Sequence, residues 1–253
     1  MQNYILWYYL PVKFGALWIG KPTKIEQMVW SSFIYHGHSL TVFVYDDSIE
    51  VPEGVVKADA NKIVPNKKIF LSPGPKGGNE SISAFADYFR YTMMYKTGLA
   101  WTDSDALCMS KFFTDQEYFF AYDRSAGFVA NGTMVMPQKS DLLKYLIDRS
   151  KETLAKDTSQ LPWATLGPRL LTEAVNKFNL ESYVAPTEYL HPVPFNNLEI
   201  LFSPRMNRKV VELSKRSASV HLWNSLLLAK NINKESFPKN SFIYTQAKKY
   251  GIV

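Results

Sequence analysis

Apolar residues recur at three- and four-residue steps through residues 81–98, where Ile82, Phe85, Ala86, Phe89 and Met93 fall on one stripe. The spacing predicts a helix, with Ser81 or Ser83 as its N-cap and Gly98 as its C-terminal stop. Thr23-Lys24-Ile25-Glu26 is a capping box and opens an earlier helix over residues 23 to about 35. Short apolar runs read as strands at residues 40–45, with a first strand at either 4–10 or 16–19. Pro52, Pro65, Pro73 and Pro75, with Gly74, Gly77 and Gly78, mark a loop-rich crossing before Ser81. Farther on, residues 127–130 and 133–136 flank Asn131-Gly132, which reads as a hairpin turn. Ser140 can cap a helix through Ile147 and beyond, and Gly167-Pro168 starts another with proline at its first position. His36 and His38 flank Gly37, a helix C-cap, and read as structural. Strands alternating with helices predict an α/β fold.

Asp87, Arg90 and Met94 lie on a different stripe of the residue 81–98 helix, setting an acid beside a guanidinium. Read alone, the two charges make an i, i+3 surface ion pair worth about 0.2–0.5 kcal/mol. The apolar run after Gly98 ends in Trp101-Thr102-Asp103-Ser104-Asp105. In a strand, residues two apart share a face, so Asp103 and Asp105 can aim at one site. Where the strand ends and the chain turns, one acid can reach a cation and the other a ligand's hydroxyls. Mg²⁺ and Mn²⁺ favour such oxygen donors, and complete their shells with phosphate oxygens and water. The same three-residue pattern also occurs in solvated turns.

The run FADYFRYTMMYKTGLAWTDSDALC resembles the helix, strand and Asp-x-Asp of sugar-nucleotide glycosyltransferases with the GT-A fold. It is most similar to glycosyltransferase family 32 and its bacterial capsular-polysaccharide relatives. Asp87, Arg90, Tyr91, Tyr95, Gly98, Trp101, Asp103 and Asp105 match that pattern in order, whereas Leu99 stands where the family usually has a second glycine. Three further stretches are similar to the same group: the opening around Trp18, WATLGPRLLTEAV from Trp163, and SVHLWNSL from Ser219. The resemblance implies one GT-A-type, Rossmann-like domain over residues 1–253, with a central mixed sheet flanked by helices. Its nucleotide-binding part would span about residues 1–110, and its acceptor-side and closing part about 111–253. It also implies roles. Asp105, with Asp103 and His221, would hold Mn²⁺ or Mg²⁺, and Asp103 with Ser104 would contact ribose and sugar hydroxyls. Asp87 would accept hydrogen bonds from the donor sugar, and Arg90 would pair with the diphosphate or a sugar oxygen. Trp18 would stack on the base, His221 and Trp223 would close over the phosphates, and Trp163, Gly167 and Pro168 would line the sugar and acceptor pocket. On its own chemistry, Trp18 equally suits a core position, and His221 a hydrogen-bonded structural one.

Composition narrows the alternatives. A hydrophobic content of 46% with 15% aromatic residues excludes general disorder. The single Cys108 cannot form an intramolecular disulfide, so nothing in cysteine usage calls for an oxidising compartment. No early run approaches the ~20 apolar residues that span a bilayer. Residues 4–10 lack a basic leader and read as a strand, so the Asn79 and Asn131 sequons carry little meaning and a cytoplasmic location is expected. The net charge is +6, with basic residues crowded towards the C-terminus, which suits peripheral contact with the inner, anionic face of a membrane. No nucleic-acid-binding signature accompanies that charge. Gly-x-Gly-x-x-Gly, a Walker P-loop and His-Glu-x-x-His are all missing.

The expectation is therefore a metal-dependent glycosyltransferase that moves a sugar from a UDP-sugar to a glycan or glycolipid acceptor, with retention implied by the family. An inverting transferase, a nucleotidyltransferase and a silent sugar-nucleotide-binding or glycan-binding protein are rivals on the same fold.

Overall fold

The computed structural model describes residues 11–74, 80–111, 114–156 and 161–253. The first strand, β1, is Lys13–Trp18, overlapping the later of the two predicted positions. The alternative at 4–10 lies outside the described residues, as do Pro75, Gly77, Gly78 and Asn79. Thr23 and Glu26 close both halves of the capping box and start α1, Lys24–Tyr35. Strands β2 (Ser39–Val44) and β3 (Val56–Asp59) follow. Helix α2, Ser83–Thr97, ends where Gly98 takes the left-handed conformation at φ 74°. Ser81 Oγ accepts the Ser83 N–H at 3.1 Å, but it is Ile82 that occupies the cap position.

Next come β4 (Ala100–Thr102), β5 (Ala106–Cys108), β6 (Phe119–Asp123) and β7 (Phe128–Val135). Ser140 caps α3, Asp141–Leu154, by accepting the Leu143 N–H. A wide helical turn over Thr165–Arg169 leads into α4, Leu170–Lys177. Pro168 therefore sits in the turn ahead of the regular helix and not at its first position. The remainder comprises β8 (Val184–Ala185), α5 (Thr187–Leu190), α6 (Asn207–Ser214), β9 (Ser219–His221), α7 (Asn224–Ala229) and α8 (Phe242–Lys249).

Seven strands form one mixed sheet in the order β3-β2-β1-β4-β7-β6-β8. β1 pairs in parallel with both β2 and β4, whereas β7 runs antiparallel to β4 and β6. Alternation along β2 separates two cores. Val42 and Val44 pack with Ile25, Val29 and Phe33 of α1, and Phe43 packs on the opposite face with Phe85 and Phe89 of α2. Helices thus cover both faces of the sheet, as the α/β expectation requires. Burial of these side chains supplies about 25 cal/mol per Å² of apolar surface, which makes the sheet a rigid support for whatever its strand ends carry.

One predicted element is different. Residues 127–136 contain no hairpin turn at Asn131-Gly132, because β7 runs straight through the pair. The turn is instead the 123–127 segment between β6 and β7, where Asp123 Oδ1 accepts the Ser125 and Ala126 N–H groups and Gly127 takes φ 78°. Both stretches have turn chemistry, and tertiary contacts decide between them.

Candidate active site

β1 and β4 lie side by side and parallel, yet the chain leaves β1 towards β2 on the other side. Crevices at the C-terminal ends of strands around such a switch point are ready-made ligand sites. Trp18 ends β1, and Asp103 directly follows β4. Between them opens a cleft of about 320 Å³ that also reaches Asp87, Asp105, His221 and Trp223. A wider groove of about 530 Å³ beside α2 and α3 is rimmed by Lys68, Lys96, Lys144 and Lys151 and is remote from this acidic pair.

Asp87 and Arg90 are 6% and 5% exposed, so the surface ion pair expected from their spacing is in fact buried. The Arg90 guanidinium meets Asp87 Oδ1 at 3.2 Å and Asp103 Oδ1 at 3.3 Å, and donates to the Asn131 carbonyl. Its Nε–H goes to the Ala86 carbonyl, and the group lies 4.9 Å from the centre of the Trp101 ring. Nearly all its donors are thus committed to the protein. Trp101 Nε1–H also donates to Asp103 Oδ1 at 2.8 Å, leaving Asp103 Oδ2 to face Gly132.

The Asn131-Gly132 pair is part of this site. Asn131 Nδ2 donates to Asp87 Oδ1 at 2.8 Å, and the Asp103 N–H donates to the Gly132 carbonyl at 2.6 Å. A Cβ on Gly132 would stand 3.1 Å from Asp103 Oδ2 and 3.3 Å from His221 Cε1. Gly167 plays a similar part behind Asp87, where a Cβ would come within 2.5 Å of Asp87 Oδ2. It packs against the carboxylate, while Pro168 and the 43%-exposed Trp163 line the cleft itself.

A two-stranded ribbon supplies the other wall. β5 and β9 pair antiparallel, with Ala106 opposite His221. Asp105 Oδ1 meets His221 Nε2 at 3.0 Å, and Asp105 Oδ2 accepts the Asn224 N–H at 2.7 Å. Trp223 adopts the left-handed conformation at φ 55°, which costs a non-glycine residue about 1–2 kcal/mol. In that conformation its ring stacks on His221, 4.1 Å between centroids at 23°. His191 makes tilted contacts with both rings, at 5.5 Å from His221 and 5.6 Å from Trp223 between centroids. Trp18 packs edge-on against Trp30 at 6.2 Å. Ser104 is used in the wall, accepting the Trp30 Nε1–H and donating to the Leu17 carbonyl.

Electrostatics follow from burial. Burial raises Asp87 to about 6, against the opposing pull of Arg90 and Asn131. Asp103 is also raised by burial, with Asp105 adding to the effect and Arg90 opposing it. Burial disfavours the ionised form of Asp105, but His221 and the Asn224 N–H outweigh it and hold the carboxyl below its ordinary value. Burial likewise disfavours charge on His221, and Asp105 and Asp103 overcome it to raise that imidazole. His191, with burial dominant and His221 as a like charge, is lowered to about 3 and stays neutral.

Asp103, Asp105 and His221 can each bring a donor atom within 4.8 Å of the others, forming the one such group among the described residues. Two more polar atoms there, His221 Nδ1 and Asn224 Oδ1, are buried with no partner. Two carboxylates, an imidazole nitrogen and an amide oxygen fit Mn²⁺ or Mg²⁺.

Sequence reasoning did not find Asn131, Gly132, Asn224, Asp123 or His191 as site residues. Glu26 was assigned only to its cap. It is in fact fully buried, and its Oε1 takes Lys234 Nζ at 2.6 Å and Asn224 Nδ2 at 2.9 Å. An acid whose cap role is already complete gives no sequence signal of a second role.

Residues 146–250 match the family model described as the alpha 1,4-glycosyltransferase conserved region, which includes β9, Trp223 and Asn224. That match covers 105 of the chain's 253 residues and makes this part of the chain similar to that family. The chain is similar to a solved structure titled PaToxG Glycosyltransferase, at 13% identity over 95% of this chain and 87% of that one, with a TM-score of 0.44. No curated protein matches it. The family match begins in α3, so the acidic pair lies outside the matched region and is joined to it by the β5–β9 ribbon.

Proposed function

We propose that the chain is a GT-A-type glycosyltransferase that moves a hexosyl group from a nucleoside-diphosphate sugar, with UDP as the nucleotide, to a hydroxyl of a glycan or glycolipid, using a divalent cation and retaining anomeric configuration. The observation that carries the reading is the convergence of Asp103, Asp105 and His221 on one point beside the unpartnered Asn224 Oδ1. Those four residues would hold Mn²⁺ or Mg²⁺. A cation held there would neutralise diphosphate charge and make the nucleotide a better leaving group.

The side chains divide the remaining work. Trp18, at the end of β1, stacks on the base. Arg90 clamps the Asp87 and Asp103 carboxylates in fixed orientations through its committed donors. Asp87 accepts hydrogen bonds from donor-sugar hydroxyls, and Trp223, held over His221, shields the phosphates from water. The bond from the anomeric carbon to the phosphate oxygen breaks, and a bond from that carbon to the acceptor oxygen forms on the same face. The acceptor's proton passes to the departing phosphate, giving UDP and the glycoside. The matched family's description names an alpha 1,4 linkage, and an α-linked product from an α-linked donor is what retention yields.

UDP release from a panel of UDP-sugars, with and without Mn²⁺, tests the reading. Turnover of one donor that requires the cation and is lost in Asp105→Asn is expected. Release unaffected by that substitution would refute the assignment, and an inverted product seen by NMR would remove retention.

No helix of the described residues is long and apolar enough to cross a membrane. The exposed face of α6 and its flanks carries Arg205, Arg208, Lys209, Lys215 and Arg216 around exposed Val211 and Leu213. Cations interspersed with aliphatic side chains support peripheral binding to an anionic bilayer.

A further inference from the structure

Asp123 takes no part in the chemistry described so far, yet it lines the cleft and is only 3% exposed. Its Oδ1 is spent on the turn, accepting the Ser125 N–H, the Ser125 hydroxyl and the Ala126 N–H. Among the described residues none donates to Oδ2. A buried carboxylate with one oxygen fixed and the other facing a cleft is a preset acceptor for a ligand hydroxyl.

The sheet register says where this oxygen lies. Asp123 stands opposite Phe128, four positions along β7 from Gly132, which borders Asp103 and His221. Along the strand this is roughly 14 Å at about 3.4 Å per residue, while the Asp123 charge still acts on the His191 and His221 imidazoles. The cleft of about 320 Å³ that Asp123 shares with the acidic pair has room for a sugar ring. Trp163 lines the same cleft with a large exposed indole that the core does not use. An aromatic face together with a fixed hydroxyl acceptor suits a pyranose, which has an apolar C–H face and a polar edge.

We propose that Asp123 and Trp163 form a sugar-acceptor subsite, in which Trp163 stacks on a hexopyranose ring and Asp123 Oδ2 receives one of its hydroxyls. The subsite rests on the glycosyl-transfer reading and specifies its acceptor: a neutral hexopyranose at the hairpin end of the cleft.

Saturation-transfer NMR with a set of methyl hexopyranosides as probes, run with and without Mn²⁺ and UDP, reads the subsite directly. Asp123→Asn keeps an Oδ1 acceptor for the turn, and Trp163→Ala alters an exposed side chain, so both variants are expected to fold, which thermal unfolding checks. At least one probe should receive saturation in the native protein, with affinity about tenfold weaker in Asp123→Asn as a charge-assisted hydrogen bond is lost. Trp163→Ala should abolish transfer to one ring face. No signal with any probe, or equal signals in native and variant proteins, overturns the subsite. If calorimetry shows that neither Mn²⁺ nor UDP binds while the sugar signals persist, the donor reading fails and the subsite stands.

Discussion

Gly167→Ala is a one-carbon test of how the Asp87 carboxylate is held. The new Cβ would lie 2.5 Å from Asp87 Oδ2, 2.9 Å from Asp87 Cγ and 2.8 Å from Asn131 Nδ2. Ordinary contact begins near 3.4 Å, so either Asp87 or the Thr165–Arg169 turn must retreat by about 0.9 Å. Asp87 has little freedom, because Arg90 and Asn131 both hold its other oxygen. Overpacking of this kind costs about 1–3 kcal/mol, which in a domain of this size lowers Tm by roughly 3–9 °C. Misplacing a substrate-binding group by about 1 Å is expected to reduce turnover on the order of 100-fold. Differential scanning fluorimetry and steady-state UDP release read the two effects. A double-mutant cycle with Asp87→Ala isolates the cause, since removing the carboxylate should remove most of the penalty of the added methyl. If Gly167→Ala costs as much in the Asp87→Ala background, the clash argument is wrong. Native-like stability and turnover in the single variant would refute it outright.

Three other outcomes are expected. Glu26→Gln leaves the Lys234 ammonium buried without its carboxylate, at a cost of about 3–5 kcal/mol, and a Glu26→Gln/Lys234→Met double variant should recover part of the lost Tm. With Asp87 raised to about 6 by burial, donor kcat/KM should fall on the acid side as pH drops through about 6, where Asp87 gains a proton. In stability terms the sign is opposite: the folded-state pKa exceeds the unfolded value, so ionised Asp87 costs stability above about pH 6, and that cost disappears as pH falls towards 4. A pH profile that is flat between 5 and 7 in Asp87→Asn but not in the native protein supports the assignment. Finally, sedimentation with anionic vesicles at low salt should carry the protein down, and Arg208→Glu with Lys209→Glu should weaken that binding, since each basic residue contributes about 1 kcal/mol near such a surface. Equal recovery with neutral vesicles would remove the membrane contact.

Local signals were legible where the chain itself satisfies them. The capping box at Thr23, the Ser140 cap and the Gly98 stop involve partners within a few residues, and each appears where its pattern places it. Asn131-Gly132 misleads because its hydrogen bonds go to Asp87 and Asp103, partners that turn chemistry cannot anticipate. Asp87 and Arg90 look like a surface pair on a helical wheel, since a wheel does not show that β7 and the Thr165–Arg169 turn close over them. Asp123 could have been read as a turn former from Asp-x-Ser, but its second oxygen gains meaning only from the cleft. The acidic pair and the histidine were legible through resemblance, and the residues between them were not.

The β5–β9 ribbon has a consequence for the order in which the molecule is made. Asp105 and His221 are separated by 116 positions, and the ribbon is the most sequence-distant strand pairing among the described residues. Loop closure of that length is entropically unfavourable until the strands it joins are already ordered, and non-local pairings form late. A ribosome extending the chain releases Asp103 and Asp105 well before their histidine partner. Until β9 emerges and pairs, the early half carries two acids with no imidazole opposite them and no Trp223 over the crevice. The nascent chain therefore brings Asp103, Asp105 and His221 together in a single late event, and a truncation anywhere before residue 221 leaves the cluster without its imidazole.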